Sequence, residues 1–310
     1  MNSDVNRSRP AGWIALMGVI WVLAVPAGSA PVSSGVASAT DANAVKMGSF
    51  TMSVREYPLP PGVTPAKVKA AAAKGDLEAQ TRLGEWLVDG TQGMAKDPKQ
   101  GVSMIRSAAD QGNAFAQNSV GVLYLLGEHY PRDVDEAARW FRKSAEQEDG
   151  AGECGLGTCY SMGWGVERDP KSAMVCYQRS AIHGDLMGQF QFGNCLLFGK
   201  GTEKNITEGI RWIEKSAKQG MQDAVGELGL IYMAGLYGVP KDRVKGMAWI
   251  QKGAAAGIVE CMTVLGECYE NGVIVKKDIR AAKKWYGLAA DKGFQPAQEE
   301  LQRLLRKENL

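Results

Sequence analysis

The sequence predicts an all-α protein, built as a solenoid of six helix–turn–helix repeats. Three regularities favour this fold class: a recurring Leu-Gly-x-x-Tyr motif, a column of Asp or Asn after each motif, and an apolar stripe at helical spacing beyond it. The motif glycines, spaced 36 or 37 residues apart, are Gly84, Gly121, Gly157, Gly193, Gly229 and Gly266. A period this regular in a chain of 310 residues indicates one stack of units rather than two ordinary domains.

The first 27 residues differ in character from the rest of the chain. Arg7 and Arg9 precede an apolar run at 13–27, and small residues follow it. This order is typical of a secretory signal peptide, with Val25-x-Ala27 as the preferred cleavage pattern. The run is close to the lower limit for a membrane-spanning helix, so an uncleaved N-terminal anchor is the alternative. We expect an exported protein, periplasmic or secreted, or one anchored by this segment.

Residues 28–63 predict a flexible linker. They are rich in Ser, Ala, Gly, Val and Pro, and the prolines within 57–62 cannot continue a helix. The net charge of the chain is +2, so the overall charge gives no indication of nucleic-acid binding.

The remaining sequence divides into two end caps and the six repeats. Thr64-Pro65 opens an Ala-rich helix at 64–75, which we predict as the N-terminal cap. The repeats occupy 76–293, and 294–310 is predicted as a C-terminal capping helix with a polar outer face. In each repeat a small residue lies five positions before the motif glycine, where it lets neighbouring helices approach closely. This column is Ala79, Ala116, Gly152, Gly188, Ala224 and Cys261.

The loop after helix A and the start of helix B carry turn and capping signals. Loop glycines such as Gly163 and Gly165 suit positive φ angles. The predicted N-caps of helix B are Asp97, Asp133, Asp169, Asn205, Asp242 and Asp278. Glu136 and Glu208, three residues after their caps, predict capping boxes. Since the caps are about one repeat apart, they cannot converge on one metal ion.

Helix B supplies two adjacent apolar columns that predict the core between repeats. The first column is Met104, Trp140, Cys176, Trp212, Trp249 and Trp285. The second is Ile105, Phe141, Tyr177, Ile213, Ile250 and Tyr286. Turn glycines after helix B predict its C-terminal ends, except that Glu148 stands in the glycine place of the third boundary. A small irregularity is expected there.

This pattern resembles the Sel-one-like repeat, a relative of the tetratricopeptide repeat. The copies at Leu156–Gly184 and Leu265–Gly293 match it best, and the resemblance covers about residues 66–305. It implies a right-handed αα superhelical solenoid with helix A on the concave face. It also implies a non-enzymatic adaptor, because members of this family mostly hold proteins together.

Six cysteines leave two alternatives open. Cys176 could form a disulfide with Cys154 or Cys159 of the same repeat, or the cysteines could be apolar filler. A cysteine-rich bacterial subset of the resembled family has regular disulfides and is linked to β-lactam binding or hydrolysis, so an envelope hydrolase is the alternative function.

The two histidines, His129 and His183, lie in different loops, and no Cys-x-x-Cys occurs, so neither zinc nor another cofactor is expected.

The polar positions of helix A predict the partner-binding surface. They are acidic or amide, whereas the exposed positions of helix B are mostly basic. We expect a concave groove that binds a protein or peptide segment, on a chain that is monomeric because both ends are capped. The residues predicted to contact the partner are Gln80, Gln117, Asn118, Glu153, Gln189 and Asn194. Ordinary solvated helix faces are the alternative reading of the same charges.

Overall fold

The computed structural model describes residues 63–308, and this part of the chain is entirely helical, which confirms the predicted fold class. The predicted signal peptide or anchor and nearly all of the linker lie outside the described residues. Between 63 and 308 no helix combines the length and the apolar character needed to cross a membrane.

Fourteen α-helices follow one another within the described residues. The first, α1 (Pro65–Ala73), lies before the repeats, and the last, α14 (Gln295–Glu308), lies after them. The A helices are α2 (Leu77–Asp89), α4 (Ala114–Leu126), α6 (Gly150–Met162), α8 (Leu186–Phe198), α10 (Gln222–Ala234) and α12 (Val259–Asn271). The B helices are α3 (Pro98–Asp110), α5 (Val134–Ala145), α7 (Pro170–Ile182), α9 (Ile206–Lys218), α11 (Arg243–Ala255) and α13 (Ile279–Asp291). A short 3-10 turn, Leu236–Gly238, follows α10.

Among the described residues the chain forms two compact units, 63–242 and 243–308. In the first unit, α2, α4, α6 and α8 each pack on the B helix of their own repeat and on the B helix before it, and they also touch one another. The A helices of this unit therefore form one layer and the B helices another. In the second unit, α12 packs against α11 and α13, and α14 packs against α13.

The motif glycines make room for large side chains of helix B. A Cβ at Gly121 would lie 2.7 Å from the Phe141 ring, and one at Gly157 would lie 2.9 Å from the Tyr177 ring. These distances are shorter than van der Waals contact. The Leu-Gly motif therefore exists because helix A and helix B approach too closely for a side chain at this position.

The core runs along the second of the two apolar columns in helix B. All six of its members, from Ile105 to Tyr286, are buried, whereas the first column is half-buried except at Trp140. Lys143 Nζ lies 4.0 Å from the centroid of the Trp140 ring, and Lys215 Nζ lies 4.5 Å from that of Trp212. The tryptophans thus lie at the border of the core and carry cations over their faces.

Five of the predicted N-caps of helix B are formed. A side-chain oxygen accepts a backbone N–H of the first turn of helix B at Asp97, Asp133, Asp169, Asn205 and Asp278. A second capping column begins the A helices and was missed by the sequence analysis. It consists of Asp76, Asn113, Asp149 and Asp185. Its sequence signal is the position directly after each helix B turn.

The capping boxes predicted at Glu136 and Glu208 are wrong. A capping box needs the backbone N–H of the cap residue, but Asp133 donates that group to the Tyr124 carbonyl at 3.0 Å. The N–H of Asn205 is used in the same way. Both glutamates instead pair with an arginine three residues later on their own helix. The cap backbone therefore ties helix B to the end of helix A.

The third repeat boundary departs from the others as expected. Glu148 adopts φ +62°, while the glycine in the next boundary, Gly184, adopts +91°. Helix α5 has 12 residues, one fewer than the other B helices. The irregularity is therefore confined to the turn, which keeps its left-handed backbone without a glycine.

Candidate functional site

Four of the six residues predicted to contact a partner lie inside the fold. Gln117, Glu153, Gln189 and Asn194 are 6, 1, 1 and 3% exposed. Gln80 and Asn118 are partly exposed. The predicted ladder of groove-lining side chains is therefore largely internal, and its members bind other parts of the chain.

The first contact of this column is to the preceding B helix. Gln80 Nε2 donates to the Ala72 carbonyl at 3.1 Å, and Gln117 Nε2 donates to the Ala109 carbonyl at 3.3 Å. Gln298 of α14 makes the corresponding bond to the last turn of α13. Carbonyls at the end of a helix have no partner within that helix. The amide column supplies one and thereby joins successive repeats.

The second contact is to a residue 30 positions later, at the end of helix B of the same repeat. Gln147 Nε2 donates to Gln117 Oε1 at 2.8 Å, and Gln219 Nε2 donates to Gln189 Oε1 at 2.8 Å. Each surface glutamine is thus held by a buried one. In these two repeats the amide pair therefore links helix A to the end of helix B.

The third repeat has a carboxylate, an imidazole and a guanidinium group in place of this amide pair. Glu153 Oε2 lies 2.7 Å from His183 Nδ1, and Glu153 Oε1 lies 2.9 Å from Arg179 Nη2. His183 is the C-terminal cap residue of α7, so a helix end and a buried carboxylate both face it. The contact between Glu153 and His183 was missed at the sequence level. The 30-residue spacing shared with the two amide pairs was the available signal.

Other carboxyl groups lie where consecutive A helices meet. Ser119 Oγ donates to Glu85 Oε1 at 2.7 Å, and burial raises the pKa of Glu85 to about 7. Burial also raises the pKa of Glu227 to about 7, although the neighbouring Asn194 amide opposes the shift. Neither the oxygen nor the nitrogen of the Asn194 amide has a partner in good hydrogen-bond geometry.

In the second unit, burial raises the pKa of Glu267 to about 7, and the carboxylates of Glu300 and Glu270 add to the rise. Groups with this pKa can exchange protons near neutral pH. Of these carboxyl groups, Glu85 was missed at the sequence level.

All six cysteines carry thiols, and neither of the disulfides considered for Cys176 is formed. Burial raises the pKa of Cys159 to about 12 and that of Cys176 to about 11. A reactive cysteine needs a thiolate, which burial disfavours here. Among residues 63–308, no group of three or more His, Cys, Asp or Glu side chains could hold a metal ion.

Comparison with protein families decides the identity of the repeat. The Sel1 repeat model matches residues 77–113, 114–149, 150–185, 186–221, 223–258 and 259–294. The chain belongs to the Sel1 repeat family. This confirms the resemblance noted in the sequence, and the six matches have the same number and phase as the motif glycines. Sel1 repeats generally serve as scaffolds for protein–protein interactions.

Solved Sel1 structures are similar to this chain. One is c5321, a protective antigen present in uropathogenic Escherichia coli strains, with a TM-score of 0.62 and 28% identity over 79% of this chain and 52% of that one. Another is a Sel1 repeat protein from Oxalobacter formigenes, with a TM-score of 0.64 and 27% identity over 76% of this chain and 68% of that one. The chain therefore spans about half of the E. coli protein. Comparison with the curated proteins found no match.

Proposed function

We propose that this Sel1 repeat protein is an exported, non-enzymatic scaffold that binds a protein partner on the layer formed by its A helices. The repeat columns account for packing, capping and turn formation, so the faces of the two layers are left for recognition. The proposal of export rests on the N-terminal sequence pattern and is supported by similarity to a protective antigen.

The separation of charge between the layers is the observation that carries this proposal. In the unit 63–242, helices α2 to α10 of the A layer contain six acidic side chains and a single basic one, Arg82. The B helices α3 to α9 contain ten basic and five acidic side chains. Glu153 is buried and Glu85 and Glu227 are largely buried, so the exposed acidic side chains of this layer are Glu78, Asp89 and Asp223. A surface that carries these carboxylates and exposed amides complements a basic segment of a partner. We therefore propose an extended or helical segment with basic side chains as the ligand of the A layer.

The proposed contact residues are those that the fold does not use. Gln117, Glu153 and Gln189 join helices, so their substitution would disturb packing as well as recognition. Asn118 and Gln191 are partly exposed on α4 and α8 and offer amide groups on the A layer.

The test is affinity capture with the full chain, followed by mass spectrometry, using two variants. Asn118→Arg/Gln191→Arg places positive charge on the A layer, and Lys99→Glu changes an exposed residue of the B layer. We expect proteins captured by the wild type and by Lys99→Glu to be lost from the A-layer variant. Capture of the same proteins by all three would contradict the proposal.

The hydrolase alternative would require the regular helix-to-helix disulfides of the cysteine-rich subset. The cysteines carry thiols instead, so no contact among the described residues favours it.

A further inference from the structure

Helix α7 differs from the other B helices of its unit in the side chains that it presents outward. Val175 is 47% exposed and Ile182 is 64% exposed, and their spacing of seven residues places them on one face of α7. The corresponding positions are Arg139 and Glu146 on α5, and Arg211 and Lys218 on α9. We name Val175 and Ile182 the α7 ridge. It is an apolar stripe flanked on both sides by charged helices.

Beside the ridge, the basic side chains are more exposed than the acidic side chains with which they pair. The side chains of Arg139, Arg211 and Lys218 are 64, 80 and 68% exposed, whereas their acidic partners Glu136, Glu208 and Glu214 are only 32, 38 and 20% exposed. Exposed ion pairs of this kind contribute little, so the cations stay available to a ligand. The acidic residues that are exposed within 134–218 are fewer than the basic ones: Asp135, Glu146 and Glu148 around α5, Glu167 before α7 and Glu203 before α9.

Two further cations are fixed in place at the flanks. Lys143 lies over the Trp140 ring on α5, and Lys215 lies over the Trp212 ring on α9. Arg179 lies between the two ridge residues along α7, and its Nη2 also donates to the Ala145 carbonyl at the end of α5. This hydrogen bond links α7 to the C-terminal end of α5. The result is an apolar ridge with ordered cations on both sides.

We propose that the α7 ridge docks the protein on an anionic lipid bilayer. Apolar side chains that project from a surface can enter the headgroup and acyl boundary, and Lys or Arg around them bind lipid phosphates. A partner helix would instead require a groove in which to place its apolar face. Val175 and Ile182 project as a ridge between long charged side chains, so a bilayer that can surround them is the better match. The α7 ridge lies on a B helix, so it is distinct from the A layer that is proposed to bind a protein partner.

The test is flotation of the full chain with vesicles of phosphatidylcholine, prepared with and without phosphatidylglycerol. We expect binding that depends on phosphatidylglycerol and weakens as salt is added. Val175→Ser/Ile182→Ser should lower the partition coefficient by about tenfold. Arg211→Gln/Lys218→Gln should lower it by about fivefold for each charge removed. The second variant leaves the core untouched and keeps the test valid if the first one folds poorly.

Val244→Ser is the matched control, because Val244 is 73% exposed on α11 in the other unit. It should bind as the wild type does. The apolar run at 13–27 is present in every variant, so any contribution from it cancels in the comparison. Equal binding by the ridge variant and Val244→Ser, or no dependence on phosphatidylglycerol, would overturn the proposal. Binding of an acidic amphipathic peptide without vesicle binding would also overturn it.

Discussion

Glu148 is held in a left-handed backbone conformation, at φ +62°, on the surface of the third repeat boundary. A residue with a Cβ pays about 1 kcal/mol or more for this conformation, and glycine does not. Glycine also has more freedom to lose on folding, which offsets part of the gain. We expect Glu148→Gly to raise the free energy of unfolding by about 0.5–1 kcal/mol, measured as a higher urea midpoint.

Gly184→Ala is the reverse experiment at the next boundary. Gly184 adopts φ +91°, and no atom lies within 4 Å of a Cβ built there, so the substitution changes backbone strain alone. We expect it to lower the free energy of unfolding by about 1 kcal/mol. Changes of opposite sign in the free energy of unfolding at the two sites would support the argument from backbone strain. A loss of stability in Glu148→Gly would refute it.

The Glu153–His183 contact offers a second test at the residue scale. Glu153 is buried, so Glu153→Ala removes the hydrogen-bond partner of His183 and the counter-ion of Arg179 and opens space. We expect a loss of roughly 2 kcal/mol. Glu153→Gln/His183→Gln recreates the amide pair found in the neighbouring repeats. The double variant should lose less stability than the two single Gln variants added together, by about 1 kcal/mol. Additive single effects in a urea double-mutant cycle would show that the pair is not coupled.

Close contact between helices within a repeat depends on the motif glycines. A Cβ at Gly121 would lie 2.7 Å from the buried Phe141 ring, so Gly121→Ala forces two helices apart. We expect it to lower the free energy of unfolding by about 1–3 kcal/mol. Phe141→Leu should restore part of the loss in the double variant. Both effects can be measured by urea unfolding followed by circular dichroism.

Gly287 provides the control because it lies within α13 and no atom is within 4 Å of a Cβ built there. Gly287→Ala should raise the free energy of unfolding by about 1 kcal/mol through helix propensity alone. If Gly121→Ala and Gly287→Ala shift the free energy of unfolding in the same direction, the close contact with Phe141 does not explain why position 121 is a glycine.

The repeat pattern was sufficient to predict the helices, because their signals are local. Caps, turns and the apolar stripe recur along the repeats. Agreement between repeats therefore supports the assignment of each helix. The fate of a polar side chain such as Gln117 is not local, since it depends on which carbonyl lies opposite in the preceding repeat. Only the fold brings Ala109 within reach of this amide. For the same reason Glu153 was predicted for a groove and is found against His183.

Three largely buried carboxyl groups of the A helices predict how stability depends on pH. Glu85, Glu227 and Glu267 have pKa values raised to about 7 in the folded chain, mainly by burial, from an ordinary value of 4.5. The unfolded chain therefore releases these protons first, and the stability they contribute is present below about pH 4.5 and is lost as the pH rises through about 7. We expect a lower urea midpoint at about pH 8 than at about pH 5.5.

Substitution of all three residues by Gln isolates this effect. Glu85→Gln/Glu227→Gln/Glu267→Gln removes the groups that titrate but keeps their size and hydrogen-bonding capacity. The difference in midpoint between the two pH values should shrink in this variant. An unchanged difference would assign the pH dependence to other groups, such as Asp185, whose pKa is also raised by burial.

At the scale of the whole molecule, a repeat stack must cover the apolar face of its last unit. Helix α14 does so in the second unit, where Leu304 packs with Ala282 and Tyr286 of α13. Arg303 Nη2 also lies 2.7 Å from Glu270 Oε1 of α12. Leu304 is 4% exposed, but the adjacent Leu305 is 46% exposed. We expect Leu304→Ala to cost about 2–4 kcal/mol and Leu305→Ala less than about 0.5 kcal/mol.

Removal of 295–310 tests the same face by its effect on association. The truncated chain exposes Ala282 and Tyr286, and an uncovered repeat end presents a surface on which a second copy can pack. Light scattering after size-exclusion chromatography should find the full chain monomeric, and the truncated chain should associate more as its concentration rises. A truncated chain that stays monomeric, with the urea midpoint of the full chain, would show that α14 is not needed to cover the apolar face of the last repeat. In that case, if the full chain is found to be monomeric, its C-terminal cap is not the cause.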